Sequence, residues 1–554
     1  MFRSSLIVAA LLATAQGARA QQPPVGGQLQ QIPPVAPAIR PTPDFRIERP
    51  EAPVDAAAEG ARVRVDALRI SGATLFPEAE LLAATEFSPG LDLTLPELRN
   101  MAARITRFYN ARGYVLAQAY LPAQDVVGGT VTLAVVEGRY GAIDLRNESG
   151  LADRQVRGLI AGLNPGDPVA LAPLERRLLL LSDTPGVIVK STLSPGAEVG
   201  TSDLTVDLAR APRIYGSLEA DNAGNRYTGA YRLGGSVNLA NATGFGDLLS
   251  LRLLVSTDDL AYGRAAWQVP VGEATVGVAY THMEYGLGRE FSALDAGGTA
   301  EIFSLFARYP LIRSRNANLY ALAGFDAKWL GEEVGVVSQV SDKETRAVTI
   351  GLTGDVRDRF GGGGWNTGTL SLTSGELDIE NPVVRAADAN TARTQGGFTK
   401  LTYAFTRLQT IRGPLSLHGA LRGQWAGDNL DSSEKMELGG AYGVRAYPEG
   451  EAYGDEGYIA TIEARLALDA WTSGLPGHLQ LIGFVDSGEV DFAHDPWFSG
   501  SNHARRSGVG TGLIWSAPNA LLVSVTYAHR LGDQVSTSGP DDGDRAWFQI
   551  VKLF

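Results

Sequence analysis

The amino-acid sequence predicts a transmembrane β-barrel of about sixteen antiparallel strands, preceded by two small α+β modules. Three observations lead to this fold class. From about residue 213 to Phe554 the chain consists of strand-length stretches in which apolar residues alternate with polar or small ones. Short and long connections between these stretches largely alternate. Beyond the N-terminus there is no run of about 18 apolar residues, so no transmembrane helix is predicted.

The first twenty residues (1–20) have the organisation of a secretory signal peptide. Arg3 supplies the positive charge, an apolar stretch follows, and small residues frame an arginine at positions 18–20. We expect cleavage between Ala20 and Gln21, which would export the mature chain.

Residues 21–61 form a segment rich in proline, glutamine and alanine. Such a composition buries too little apolar surface to fold and favours an extended linker. We therefore expect no long helix here that could fill the interior of a barrel.

The chain between this linker and the barrel contains the same order of elements twice: strand, helix, helix, strand, strand. We place the first module at residues 62–138 and the second at 139–211. The second helix of the first module is the clearest element. Thr94 and Glu97 form a T-x-x-E capping box at its start, and Gly113 lies just beyond its end.

The barrel is predicted at residues 212–554. In residues 249–256, leucine and valine alternate with serine and arginine, as expected for a strand with lipid on one face and the lumen on the other. The predicted strands begin near residues 213, 229, 247, 260, 273, 300, 316, 345, 365, 396, 413, 457, 477, 507, 519 and 544. The predicted long loops fall near 286–299, 331–344, 378–395, 427–456, 491–506 and 532–543.

The composition argues against several kinds of function. The chain contains no cysteine, and its six histidines have no metal-binding spacing. The net charge of -13 does not favour nucleic-acid binding. We therefore expect no catalytic, metal or cofactor site and no nucleic-acid partner.

The longest predicted loop and a later strand each carry a charged residue in unusual surroundings. Arg445 lies in the middle of a loop rich in glycine and tyrosine, and Asp486 lies in an otherwise apolar strand. A carboxylate on a barrel strand is expected to face the lumen, because the lipid face disfavours charge. An arginine on a loop that folds inward could bind this carboxylate with both arms of its guanidinium, although spacing alone makes the pair only a hypothesis.

These residues carry a resemblance to the TpsB transporters of two-partner secretion (ShlB/FhaC/HecB type), within the BamA-like superfamily. The loop is similar to that family's V-R-G-Y motif at Val444, Arg445, Ala446 and Tyr447. The strand matches the family's F-x-D-x-G motif at Phe484, Asp486 and Gly488. The two modules resemble POTRA domains, so the resemblance covers about residues 60–554. Because Ala446 replaces the motif glycine, a positive φ at this position would be strained, and we expect a slightly reshaped loop tip.

The resemblance implies an outer-membrane location with both POTRA domains in the periplasm. It implies type V secretion of a TpsA-type exoprotein, such as an adhesin or hemolysin, with the POTRA domains capturing the unfolded partner and the barrel acting as the pore. Arg445 and Asp486 would form a conformational lock. Contact with outer-membrane lipids and assembly by the barrel-assembly machinery are further expectations.

Three alternatives stay open from the sequence. The Arg445–Asp486 pair could be a structural brace of the barrel with no separate role in transport. The whole protein could be a barrel-assembly insertase, although such proteins usually carry more POTRA repeats. A passive porin is less consistent with tandem POTRA units.

Overall fold

The computed structural model describes residues 25–33, 43–48, 62–337, 339–472 and 474–554. Two α+β modules and a closed β-barrel follow one another along the chain, and a short N-terminal segment returns into the barrel. Among the described residues, every helix is too short or too polar to cross a lipid bilayer.

Two short elements precede the modules, the helix α1 (Val25–Gln30) and the strand β1 (Asp44–Ile47). Most of α1 is buried inside the barrel, and β1 pairs with the second module. The expectation of a wholly extended linker is therefore corrected for these two stretches. Prolines flank the helical sequence VGGQLQ and do not interrupt it, and the barrel supplies the hydrogen-bond partners that so short a helix lacks. The predicted signal peptide and its cleavage site lie outside the described residues.

The first module contains two helices beside short strands. Its elements are β2 (Arg62–Val65), β3 (Ala67–Ser71), α2 (Glu78–Thr85), β4 (Leu91–Thr94), α3 (Leu95–Ala111), β5 (Gln118–Tyr120) and β6 (Thr130–Val136). The predicted capping box is confirmed, because the side chains of Thr94 and Glu97 each accept a hydrogen bond from the other residue's backbone N–H. Gly113 follows α3 with a φ of 90°.

The second module repeats this organisation. Its elements are β7 (Arg139–Asn147), α4 (Asp153–Ile160), α5 (Leu171–Ser182), β8 (Val187–Pro195) and β9 (Thr201–Arg210). The strand order is β1-β8-β9-β7, so the N-terminal strand β1 occupies the edge beside β8. Phe45 and Ile47 of β1 pack against the apolar core of the module.

A buried carboxylate fixes the end of the first module next to the start of the second. Glu137 accepts hydrogen bonds from the Thr74 backbone N–H at 2.7 Å and the Tyr109 hydroxyl at 3.0 Å. Arg139 donates to Glu137 at 3.3 Å and to the carbonyl oxygen of Gly166 in the second module at 2.9 Å. These contacts hold the two modules against each other at their junction.

The barrel is closed by sixteen antiparallel strands, as predicted. The strands from 214 onward, with two short loop strands and one loop helix, are β10 (Ile214–Asp221), β11 (Arg232–Ala240), β12 (Leu248–Ser256), β13 (Leu260–Val271), β14 (Ala274–Gly286), β15 (Ala296–Arg313), β16 (Ala317–Val334), β17 (Gln339–Asp358), β18 (Gly364–Ile379), α6 (Pro382–Ala389), β19 (Gly396–Arg412), β20 (Leu415–Ala426), β21 (Met436–Glu437), β22 (Tyr453–Gly454), β23 (Glu456–Ala467), β24 (His478–Asp491), β25 (His503–Ala517), β26 (Leu521–Arg530) and β27 (Asp544–Leu553). Strand β10 pairs with β27 to complete the ring.

The two faces of the barrel wall differ as the alternation predicts. On β12, Leu253 is 56% exposed on the outer surface, whereas the neighbouring Arg252 is 7% exposed and points inward. The predicted long loop at 331–344 is wrong, because β16 and β17 extend through most of it and pair with each other up to Val334 and Gln339. Polar side chains in this stretch do not prevent pairing, since main-chain hydrogen bonds join the two strands.

Candidate functional site: the inward loop and its contacts with the wall

The connection between β20 and β23, residues 427–455, folds into the barrel and is called the inward loop below. Its two arms are joined by antiparallel pairing of β21 with β22. Leu438, Val444 and Tyr447 are fully buried and pack with wall residues that include Ile459 and Phe484. The tip of the loop therefore has its own apolar contact with the inside of the wall.

The structure brings Arg445 at the tip of this loop to Asp486 on β24. The arginine Nε lies 2.8 Å from Asp486 Oδ2, and its Nη2 lies 2.9 Å from Oδ1, which makes the pair bidentate. The third nitrogen, Nη1, lies 3.1 Å from Glu463 Oε2 on β23. Thr461 donates its hydroxyl to Asp486 Oδ1 at 2.8 Å, so both carboxylate oxygens have partners.

An aromatic ring completes the surroundings of Arg445. Its guanidinium carbon lies 3.3 Å from the centre of the Phe484 ring, on the same strand as Asp486. A planar guanidinium can stack on an aromatic ring while its edge binds carboxylates, whereas an ammonium group has neither a plane to stack nor a fork that binds a carboxylate with two nitrogens. This geometry gives Phe484 and Asp486 of the strand motif complementary contacts with one side chain.

The glycine of the strand motif allows the loop to approach the wall. A Cβ at Gly488 would lie 2.7 Å from a methyl carbon of Leu438 and 2.6 Å from the Tyr458 carbonyl oxygen. Distances this short are sterically forbidden, so a larger residue at Gly488 would push the inward loop away.

Ala446 does not have the strain that its replacement of glycine predicts. It is absent from the residues with positive φ, so its backbone has a conformation that an alanine adopts without strain. Its Cβ instead faces Gly508 on β25, where an added Cβ would lie only 2.5 Å away. The methyl group of Ala446 thus occupies space that a glycine on the wall leaves free.

Arg445 has two further partners that the motifs do not include. One is Glu463. It could have been found by the same pattern as Asp486, a charged residue on the lumen side of a strand in which apolar and polar residues alternate. The other is Trp547 on β27, whose indole N–H donates to the Arg445 carbonyl oxygen at 2.7 Å. Nothing local in the sequence marks this tryptophan, because the contact joins residues 102 positions apart.

A second segment, residues 25–33, also lies in the lumen and is called the plug segment. The Val25 backbone N–H donates to Glu332 on β16 at 2.9 Å. Arg232 on β11 and Arg252 on β12 each donate to a main-chain carbonyl of the plug segment at 2.6 Å. The plug also touches the inward loop, since the Gln30 side chain donates to carbonyl oxygens of that loop.

Lysines on the wall hold the first arm of the inward loop. Lys328 and Lys400 bind the two oxygens of Glu434 at 2.5 and 2.8 Å. Lys343 binds Asp431 at 2.8 Å. Within the described ranges, no three His, Asp or Glu side chains are grouped as ligands for a metal ion.

Comparison with known proteins identifies the family. Residues 200–513, more than half of the 554-residue chain, match the family described as haemolysin secretion/activation protein ShlB/FhaC/HecB. The chain belongs to this family. Residues 63–138 match the ShlB-type POTRA domain. This ShlB/FhaC/HecB protein is therefore an outer-membrane transporter of the two-partner secretion type, with its POTRA region in the periplasm.

Curated relatives support the assignment over most of the chain. The heme/hemopexin transporter protein HuxB of Haemophilus influenzae strain 86-028NP is 28% identical, with 84% of this chain and 82% of the relative covered. The outer membrane transporter CdiB of Dickeya dadantii is 24% identical, with 89% of this chain and 86% of the relative covered.

Solved structures agree with the fold of this ShlB/FhaC/HecB protein. CdiB from Escherichia coli has a TM-score of 0.70 at 21% identity, over 91% of this chain and 93% of the other. BamA from Haemophilus ducreyi, lacking POTRA domains 1–3, has a TM-score of 0.53 at 14% identity, over 89% of this chain and 100% of the other.

Proposed function

We propose that this transporter exports one large exoprotein of the TpsA type, an adhesin or hemolysin, across the outer membrane. The observation that carries the proposal is the content of the lumen. Two segments of the chain, the plug segment and the inward loop, lie in it, inside a closed sixteen-stranded wall. We propose that these segments move while the wall stays closed. A pore of this kind is shut at rest and can open for a polypeptide.

The surface proposed to capture the partner is the β8 edge of the second module. The four residues of β1 pair in parallel with Lys190 to Leu193 on this edge, with Phe45 and Ile47 turned to the core. An extended polypeptide with apolar residues at alternate positions can form the same main-chain hydrogen bonds. The partner would therefore replace β1, which lies on the chain between the plug segment and the POTRA region.

The proposed role of Arg445 and Asp486 is a conformational lock on the inward loop. Asp486 is fully buried and Arg445 is mostly buried, so breaking the pair leaves the carboxylate without its cation, at a cost of about 3–5 kcal/mol. Such a contact favours one discrete position of the loop over intermediate ones. Val444, Ala446, Tyr447, Phe484 and Gly488 would support the lock by fixing the loop tip against the wall.

The outward-facing apolar side chains of the barrel are proposed to contact outer-membrane lipids, and assembly is proposed to depend on the barrel-assembly machinery. We propose that the protein acts without catalysis and without a cofactor. Transport would then be driven by folding of the exported partner outside the cell.

Deletion of the gene, followed by an inventory of secreted proteins and of outer-membrane barrels, tests the proposal. Loss of one large exoprotein from the medium, restored by the wild-type gene, is the expected result. A general depletion of outer-membrane barrels would instead favour the insertase and contradict the export function. An unchanged secretome would also contradict it.

A further inference from the structure

The last extracellular connection, residues 531–543 between β26 and β27, is called the final loop. It lies across the tip of the inward loop. A Cβ at Gly539 would lie 3.7 Å from the Cβ of Pro448, and one at Gly450 would lie 3.6 Å from the Cβ of Ser538. The two loops thus meet at van der Waals distance on the face of the barrel opposite the POTRA domains.

One buried carboxylate joins the two loops to the wall. Glu451 on the inward loop is 0% exposed. Its Oε1 accepts hydrogen bonds from Arg506 on β25 at 2.9 Å (Nε) and 2.6 Å (Nη2). Its Oε2 accepts the backbone N–H groups of Thr537 and Ser538 on the final loop at 2.7 and 3.0 Å. The carboxylate therefore binds a guanidinium on the wall with one oxygen and the final loop with the other.

Tyr447 adds two contacts to the same junction. Its hydroxyl donates to the Gln534 carbonyl oxygen on the final loop at 3.1 Å. The guanidinium of Arg506 lies 5.1 Å from the centre of its ring, within the range of a cation–π contact. These groups are different from the partners of Arg445, which belong to β23, β24 and β27.

We propose that Glu451, with Arg506, forms an outer clasp that fastens the final loop onto the inward loop and seals the extracellular mouth. The Arg445 contacts attach the inward loop to the wall, whereas the clasp attaches a second loop across it. Charge-assisted hydrogen bonds to a fully buried carboxylate are strong, and removal of the negative charge weakens all of them together. The mouth opens when this clasp releases the final loop.

The first test is Glu451→Gln, measured as ion conductance of the full chain in planar bilayers without any partner protein. The variant should open several-fold more often than wild type, because the amide cannot accept all the hydrogen bonds of the carboxylate. Glu333→Gln, at an exposed glutamate near the extracellular end of β16, is the matched control and should behave as wild type. Wild-type conductance in Glu451→Gln, with heat-modifiable migration showing a folded barrel, would overturn the proposal.

The second test does not depend on weakening the clasp. The chain has no cysteine, and the distance between the Pro448 Cβ and a Cβ at Gly539 suits a disulfide, for which about 3.5–4.5 Å is usual. When oxidised, the double variant Pro448→Cys, Gly539→Cys should lose its channel openings, and reductant should restore them. Openings at wild-type frequency in protein shown to be fully cross-linked would contradict a role of this junction in opening.

Discussion

At the scale of single residues, the guanidinium of Arg445 joins the loop motif to Phe484 and Asp486 of the strand motif. The paired donors Nε and Nη2 bind Asp486, and the remaining donor Nη1 binds Glu463. The flat face of the guanidinium stacks on the Phe484 ring. Charge alone would not require an arginine here, but this combination does.

Substitution of Arg445 should separate the lock from barrel assembly. We expect Arg445→Ala to leave the barrel inserted but to reduce partner secretion greatly, because Asp486 is left buried without its cation. Arg445→Lys should secrete more partner than Arg445→Ala but less than wild type, since lysine cannot bind the carboxylate with two nitrogens. Secreted partner in the medium and heat-modifiable migration of the barrel are the two measurements.

The control for this experiment is Arg407→Ala. Arg407 pairs with Asp358 at 2.7 Å near the periplasmic end of the wall, away from the inward loop. The Arg407→Ala variant should secrete the partner protein at the wild-type level. Full secretion by Arg445→Ala would contradict the proposed lock.

Glu137 shows how a buried acid can stabilise a POTRA domain. Burial raises the pKa of Glu137, but hydrogen bonds from Thr74, Leu75 and Tyr109 outweigh burial and hold the pKa below its usual value. A carboxyl group with a lowered pKa stabilises the fold above its unfolded pKa, about 4.3 for glutamate, and loses this contribution as the pH falls through the folded pKa. Acid should therefore weaken the first module.

Glu137→Gln should destabilise the first module at neutral pH by about 1–3 kcal/mol, because at least one buried donor loses its acceptor. The variant should also lose the part of the acid sensitivity that Glu137 supplies. Pulse proteolysis of the POTRA region of the full chain in urea, at pH 7 and in acid, measures both effects. The exposed substitution Glu80→Gln should change the free energy of unfolding by less than about 0.5 kcal/mol, and an equal change in both variants would contradict the prediction.

At the scale of elements, the strand β1 matters because of where it lies. It is four residues long and has only one neighbouring strand, β8, so its pairing is weak compared with that of the inner strands. Its attachment to the same chain compensates for this weakness by keeping its effective concentration high. A partner strand would have to compete with this intramolecular one.

Weakening β1 should therefore strengthen capture of the partner. We expect Phe45→Ser with Ile47→Ser to increase binding of an unfolded N-terminal fragment of the partner several-fold, because β1 loses its apolar contacts. The matched control is Asp44→Ser with Arg46→Ser, which changes the exposed face of the same strand. Equal affinity of both double variants, measured by biolayer interferometry on the full chain, would argue against competition at β8.

At the scale of the whole molecule, the barrel has a continuous wall and an obstructed lumen. Its wall is continuous, since every barrel strand pairs with two neighbours. Its lumen contains the plug segment and the inward loop, which also contact each other. The resting pore should therefore conduct ions poorly until one of these segments moves.

Replacement of residues 25–33 by a glycine-serine segment of equal length should open the pore in the absence of a partner. Ion conductance in planar bilayers should rise several-fold, because the segment would lose the apolar contacts of Val25, Leu29 and Ile32 with the wall. It would also lose the side-chain hydrogen bonds of Gln30 and Gln31 to the inward loop. Unchanged conductance in a folded barrel would show that the inward loop alone seals the lumen.

Local patterns predicted the parts of this protein that depend on neighbouring residues. Two-residue alternation located sixteen strands, with starts within a few residues of those observed for most of them, and the Thr94–Glu97 pair marked the start of α3. The rule that a strand carboxylate faces the lumen placed Asp486 correctly, because lipid on the other face disfavours charge. Motif resemblance then joined Asp486 to Arg445, which spacing could not do.

The sequence by itself therefore determined the barrel, the two POTRA modules and, through the motifs, the pairing of Arg445 with Asp486. Only the tertiary structure decided that Glu463 and Trp547 also bind Arg445, that β1 covers the β8 edge and that α1 lies in the lumen. Periodicity reports which face of a strand is apolar, a property of a few adjacent residues. Contacts such as that between Val25 and Glu332, 307 positions apart, exist only once the barrel has closed around them.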